Sequence, residues 1–276
     1  MLNHVIRFLD ENWALSLGCS AIQLKDGDQH VVASPKSTGD INRPYPLKFN
    51  SICMITFGTG WVLSVPSNLI ETANALCIGL SFSDIAKEGD ILLNEWYLKL
   101  GTADEIERPK AMAYSTLVKL AQSLNIRGWS HYYHWYCDPS NWNSQRLNKC
   151  VSVTQENDLR RWEQWLSWPG PFCQAKFDKY FEISDAFGYF LNGQLVSVAQ
   201  IQANHKDFAW EFGVDTLSKY RGRGYATEVC RGVVKHIIEH NRIPWYYYDH
   251  YNHASERIPQ KLGFFLYFEG LFSHSA

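Results

Sequence analysis

Arg221-Gly222-Arg223-Gly224-Tyr225-Ala226 is the stretch on which the reading of this chain turns. It follows an apolar run, 208–214, with the composition of a strand, and opens into a helical pattern over 227–240. A glycine-bearing turn between strand and helix aims several main-chain N–H groups one way, at the positive end of the helix dipole. That arrangement holds a phosphate or pyrophosphate without side chains. Gly222 and Gly224 permit positive φ and close main-chain approach, while Arg221 and Arg223 add positive charge.

Working outward, the helix carries two adjacent apolar rows, Val229, Val233, Ile237 and Ala226, Cys230, Val234, Ile238. Arg231, Lys235 and Glu239 are expected on its solvent side. Upstream, 186–191 and 195–201 read as strands joined by Asn192-Gly193, a type I′ hairpin signal. A short strand at 150–153 and a helix at 157–166 precede them, the helix ended by Pro169-Gly170-Pro171. Downstream lie a strand at 244–249, a short helix at 254–261 opened by Asn252-His253-Ala254-Ser255, Gly263 at its C′ position and a last strand at 264–268.

The first half is less regular. Val5, Leu9 and Trp13 predict a buried stripe on a helix over 2–15, and the proline-bearing stretch 34–46 predicts a loop. A strand-like run covers 51–65, followed by a helix over 68–76 capped by Ser67 after Pro66. A helix over 110–124 leads to an aromatic strand over 129–137. Asp138-Pro139-Ser140-Asn141 is the clearest break, which divides the chain into an N-terminal α/β domain, 1–140, and a second domain, 141–276. Asn125-Ile126-Arg127-Gly128-Trp129 echoes Asn241-Arg242-Ile243-Pro244-Trp245, each between a helix and a strand. A degenerate duplication and a coincidence in an aromatic-rich chain both produce such an echo.

A hydrophobic share of 46% and a charged share of 20% exclude a disordered chain. A formal charge of −2 gives no reason to expect nucleic acid or an anionic membrane as partner, and no apolar run reaches bilayer length. Seven scattered cysteines without a C-x-x-C pair read as free thiols, and the first eleven residues make a poor signal peptide, so a cytoplasmic setting is expected.

The order of elements from Phe208 to Phe264, with Tyr220 to Thr227 at the turn, Asn252-x-x-Ser255, and Lys261-Leu262-Gly263-Phe264, resembles the GNAT superfamily of coenzyme A-dependent N-acyltransferases. The resemblance implies an α/β (α+β) fold with a mixed, mostly antiparallel sheet flanked by helices, the first half being an α/β domain or a degenerate GNAT-like half. It implies acetyl-CoA as cosubstrate and no metal. Val214, Asp215 and Thr216 would pair with the pantetheine amides, as a peptide adds to a sheet edge. The amides of Gly222, Arg223, Gly224, Tyr225, Ala226 and Thr227, with Arg221, would hold the pyrophosphate. Asn252 and Ser255 would meet the pantetheine arm or the thioester.

Attack by an amine needs a base. Glu211 is the first candidate, although the family's usual base position falls at Trp210, and one residue of offset turns a side chain to the other face unless a bulge intervenes. Asp249 is the second candidate, against a plain role in capping the following turn. The tyrosine that many GNAT enzymes use to protonate the leaving thiolate is replaced by Pro259. Tyr248 or Tyr251 could substitute, or the thiolate could leave unassisted. His131 and His134 fall on opposite strand faces and read as packing residues. Trp162, Trp165, Trp168 and Phe172 read as core or as an acceptor wall, His250 and His253 as a solvated turn, and Cys230 as a small apolar residue.

These readings add up to an N-acetyltransferase acting by direct transfer on a small-molecule amine, as a monomer or homodimer. Two alternatives stay open: a non-catalytic coenzyme A-sensing module, and transfer of an acyl group other than acetyl.

Overall fold

The structure, a computed structural model, describes residues 2–35, 52–87, 117, 120, 126–142, 150–152, 163–164, 167–169, 186–201 and 209–275. Most of the expected loop 34–46, most of the helices at 110–124 and 157–166, and Trp162, Trp165 and Phe172 lie outside the described residues. The strands are β1 (Gln29–Ala33), β2 (Cys53–Thr56), β3 (Trp61–Val65), β4 (Ile126–Tyr136), β5 (Val151–Ser152), β6 (Ala186–Leu191), β7 (Gln194–Ile201), β8 (Ala209–Thr216), β9 (Ile243–Asp249) and β10 (Phe265–Ser275). The helices are α1 (Leu2–Leu17), α2 (Ala21–Lys25), α3 (Ile70–Cys77), α4 (Phe82–Lys87), α5 (Tyr225–Glu239) and α6 (His253–Leu262).

All these strands form one sheet in the order β1-β3-β2-β10-β4-β9-β8-β7-β6-β5. It is the expected mixed, mostly antiparallel sheet: β1–β3 and β8–β9 pair in parallel and the other neighbours are antiparallel. Alternation along each strand gives the sheet two apolar faces. On one, Val229, Cys230, Val233, Val234 and Ile237 of α5 pack against Ala199, Ile201, Phe212 and Tyr246. On the other, Leu9, Trp13 and Leu17 of α1 pack against Ile55, Tyr132, Tyr136, Trp245 and Phe268. Trp13 is the hub of this face: its Nε1 donates to Tyr136 Oη at 2.9 Å, and its ring lies edge-on to Phe268 at 4.6 Å and Trp245 at 6.3 Å.

The hairpin at Asn192-Gly193 forms as read, with φ of 51° and 79° at its two central residues. Four expectations change. The run 51–65 is a hairpin of β2 and β3, not one strand, because Gly58 and Gly60 adopt φ of 102° and 61° and Thr56 Oγ1 donates to the Gly60 carbonyl at 2.7 Å. Ser67 makes no cap; it lies in a 3-10 turn, Ser67–Leu69, and α3 begins after it. The last strand runs on to Ser275, since its continuation pairs with β4 on one side and β2 on the other. Arg231 is buried instead of solvated, with its Nε 3.6 Å from Glu228.

The break at 138–141 is a 3-10 turn, Pro139–Asn141, capped by Asp138. It divides the chain but not the sheet, because β10 of the second half runs between β2 and β4 of the first. The two echoing segments end in neighbours, β4 and β9, which pair antiparallel. Residues 141–276 expressed alone are therefore expected to show no cooperative melt by circular dichroism: β9 and β10 lose the strand between them and the Trp245–Phe268 core opens. A cooperative transition in that fragment, matching one of two transitions in the whole chain, would refute this.

Candidate active site

The ladder between β8 and β9 is short. Ala209, Trp210 and Glu211 pair with Ile243, Pro244 and Trp245, and there the pairing ends. β8 runs on to Thr216 against β7 alone, and β9 runs on to Asp249 against β4 alone. Between them opens a slot whose walls are Phe212–Thr216 and Tyr246–Asp249, which do not pair with each other. At its apex, on the α5 face, the rings of Phe212 and Tyr246 stack at 5.2 Å.

The turn after β8 leads straight into the N-terminus of α5. Gly222 and Gly224 have φ of 76° and 85°, and Gly224 is the N-cap of α5. A Cβ added at either would meet no atom of the described residues within 4 Å. Glu228 donates to the Gly224 carbonyl at 3.2 Å, but among the described residues no group accepts from the amides of Gly222 to Thr227. Those donors are left for a ligand at the helix N-terminus. Arg223 lies over the ring of Tyr220, 5.7 Å away, and Tyr225 stacks on Tyr189 at 4.6 Å.

The residues expected along the pantetheine divide. Thr216 is already satisfied: its N–H donates to Asp215 Oδ1 at 2.7 Å, its carbonyl accepts from Arg221 Nε at 3.0 Å, and its hydroxyl bonds Ser197 at 2.7 Å. Asp215 also accepts the Trp168 indole N–H at 3.0 Å, so Asp215, Thr216 and Arg221 brace the loop, and Val214 is left as the open strand edge. Asn252 caps α6, its Oδ1 accepting from the Ser255 N–H at 3.3 Å. Ser255 hydrogen-bonds the Tyr246 hydroxyl, whose pKa burial pushes up. Pro259 sits inside α6, buried, and the helix continues past it to Leu262. Having no N–H, Pro259 leaves the Ser255 carbonyl four residues back without its helical donor, beside the slot.

No bulge interrupts β8, so Trp210 and Glu211 face opposite ways. Trp210 meets His240, the C-cap of α5, rings 5.4 Å apart. Glu211 stands at the slot's apex on the far face, hydrogen-bonded to Tyr247, and burial pushes its carboxyl up to about 8. Asp249 caps the next turn, accepting from Tyr251 N–H at 3.1 Å, and burial raises its carboxyl as well. Tyr248 lies on the α5 side, where burial and the charge of Glu256 raise its phenol to about 12, so it holds its proton near neutral pH.

A second polar cluster was hidden in the sequence. His131 Nε2 meets Glu269 Oε1 at 2.6 Å, Tyr133 Oη meets His250 Nδ1 at 3.1 Å, and the two imidazoles stack at 4.4 Å with 1° between planes. His131, His250 and Glu269 bring ligand atoms within 4.8 Å of one another, but nitrogen lone pairs lie in the ring planes, and parallel stacked planes do not converge on one ion. Glu269, Tyr133 and Tyr248 stand side by side across β10, β4 and β9, a neighbourhood set by strand pairing between distant segments. His250 is thus half-buried and partnered, not a solvated turn residue; His253 is exposed as expected. Tyr247, beside Glu211, was equally invisible.

The sheet is mixed, its parallel pair β8 and β9 splays, and a glycine-bearing loop leads into a helix N-terminus beside the gap. Residues 147–265 match the family of acetyltransferase (GNAT) domains. Similar solved structures include a GNAT-family acetyltransferase from Novosphingobium aromaticivorans (19% identity, TM-score 0.44, covering 54% of this chain and 65% of that one). Another is a GNAT-family acetyltransferase from Colwellia psychrerythraea (12%, 0.41, covering 60% and 63%). A third is a tandem GNAT protein of the clavulanic acid biosynthesis pathway (11%, 0.37, covering 61% and 60%). The chain spans less than two thirds of the length of each of these three. No curated protein matches it. Among the described residues no helix is long and apolar enough to cross a membrane.

A carboxyl whose folded pKa is raised costs stability as pH climbs from its unfolded value to its folded one. Between pH about 4.5 and about 8, Glu211 keeps its proton in the folded state while the unfolded chain releases it. Glu211→Gln is therefore expected to raise Tm, negligibly at pH 4 and most above pH 8. A gain that does not grow with pH would contradict the buried placement of this carboxyl.

Proposed function

We propose that this chain is an N-acetyltransferase that moves the acetyl group of acetyl-CoA directly to a small-molecule amine in the cytoplasm. The observation that carries the reading is the parting of β8 and β9 beyond Glu211 and Trp245, beside a loop whose amides meet no acceptor among the described residues. A strand edge with no partner accepts an extended amide-bearing arm, and helix N-terminal amides accept its diphosphate. Residues 141–276 hold the cosubstrate. Residues 1–140 shape the acceptor side and, through β4, back one wall of the slot.

In this mechanism the pyrophosphate rests on the amides of Gly222 to Thr227, and the pantetheine runs along Val214 with Asn252 and Ser255 opposite. The thioester carbonyl reaches the apex, where a main-chain N–H of β8 polarises it. Glu211 takes the proton of the incoming amine, nitrogen bonds to the carbonyl carbon, and the tetrahedral intermediate collapses with cleavage of the C–S bond. Tyr248 donates a hydrogen bond to the departing sulfur, which finally takes up a proton. Asp249 is second in line as base. A coenzyme A sensor is the competing reading, favoured by Pro259 at the family's acid position and by the high phenol pKa of Tyr248.

Thermal stabilisation by acetyl-CoA, with release of free thiol across a panel of amines, is the expected result. Stabilisation without thiol release for any amine or acyl-CoA would make the sensor the correct reading. Since the base acts deprotonated, kcat/KM should climb with pH through about 8 and then level. Glu211→Gln should cut kcat by about a hundredfold or more while leaving acetyl-CoA affinity unchanged. Unchanged turnover in that variant would remove Glu211 from the mechanism.

A further inference from the structure

We propose that Trp168 is a positioning residue for the phosphate loop, acting through the carboxylate of Asp215. The inference rests on the acyl-CoA reading of that loop. Trp168 is 3% exposed, packed among Ala186, Leu195 and Val198, with Phe190 and Leu217 against it. An apolar ring would fill this pocket as well. The indole N–H instead donates to Asp215 Oδ2 at 3.0 Å, a charge-assisted bond stronger than a neutral one.

The same carboxylate sets the root of the loop. Its other oxygen accepts the Thr216 N–H at 2.7 Å and lies 3.9 Å from Arg221 Nη2, while Arg221 Nε holds the Thr216 carbonyl at 3.0 Å. Arg221 is the residue from which the loop departs, one step before Gly222. At the other end, Gln164 is fixed to the β6–β7 turn, donating to the Gly193 carbonyl at 3.0 Å and accepting from the Leu195 N–H at 2.7 Å. A line of hydrogen bonds therefore runs from Trp168 through Asp215 to Thr216 and Arg221.

Asp215 lies four residues beyond Glu211 on β8, so both carboxylates belong to the sheet face away from α5. The free amides open at the N-terminus of α5 itself. Trp168 thus stands on the side of the sheet where Glu211 faces, yet governs where the loop for the cosubstrate is placed. Cosubstrate affinity then depends on a residue remote from the phosphates.

Trp168→Phe keeps the ring and removes only the N–H. Calorimetric titration with coenzyme A is expected to show its Kd rising about fivefold, within the usual range for coupling between separate sites. In a double-mutant cycle with Asp215→Asn, the double variant should bind no more weakly than the weaker single variant, because one line of bonds is cut twice. A merely structural Trp168 would lower Tm and leave Kd alone; that result, or additive losses in the cycle, overturns the proposal. Should Trp168→Phe fail to fold, Asp215→Asn decides by itself, an unchanged Kd being the overturning result. Wild-type protein that does not bind coenzyme A would instead overturn the reading of the loop.

Discussion

The parallel ladder between β8 and β9 stops at Glu211 and Trp245, and the rest of the site follows from that stop. A strand inside a sheet normally has both edges paired, since a buried amide or carbonyl without a partner costs as much as a lost hydrogen bond. Here Phe212–Thr216 and Tyr246–Asp249 each pair with a strand on one edge only among the described residues, held apart by what backs them. β7 backs one wall and β4 the other, so the slot cannot close by bringing the strands together without unzipping a neighbour.

The loop, the slot and the two carboxyls then fall into a division of labour. α5 and its leading glycines present donors and positive dipole on one side of the sheet; Glu211 stands at the apex on the other. Burial does two things to the titratable groups along the slot. It raises Glu211 into the range where a base is useful near neutral pH, and it raises Tyr248 out of the range where a phenol gives up its proton easily. The same physical cause thereby favours one candidate role and weakens another.

The second half of the fold was legible because its signals are local. The Asn192-Gly193 turn, the two apolar rows on α5, the glycines before it and Gly263 after α6 each act within a few residues. Glu211 could be placed on a strand, but its face depended on whether a bulge was present, which only the ladders with β9 and β7 settle. Thr216 and Asp215 illustrate the limit in the other direction. Their positions suggested contact with a ligand, whereas Arg221 and Trp168, one near in sequence and one distant, already occupy their polar groups. The His131–Glu269 and Tyr133–His250 pairs join residues more than a hundred positions apart, through strand neighbours that no periodicity announces.

The course of β10 has a consequence for how the chain is made. β2 and β4 are synthesised long before residues 265–275, and each offers β10 an edge that stays bare until that segment emerges. A nascent chain halted between β4 and β10 carries two adhesive strand borders, an apolar one in β2 and an aromatic one in β4, that β10 has yet to cover. Maturation therefore hinges on late arrival of a single ribbon, and chaperone demand should be heaviest in the interval before it docks.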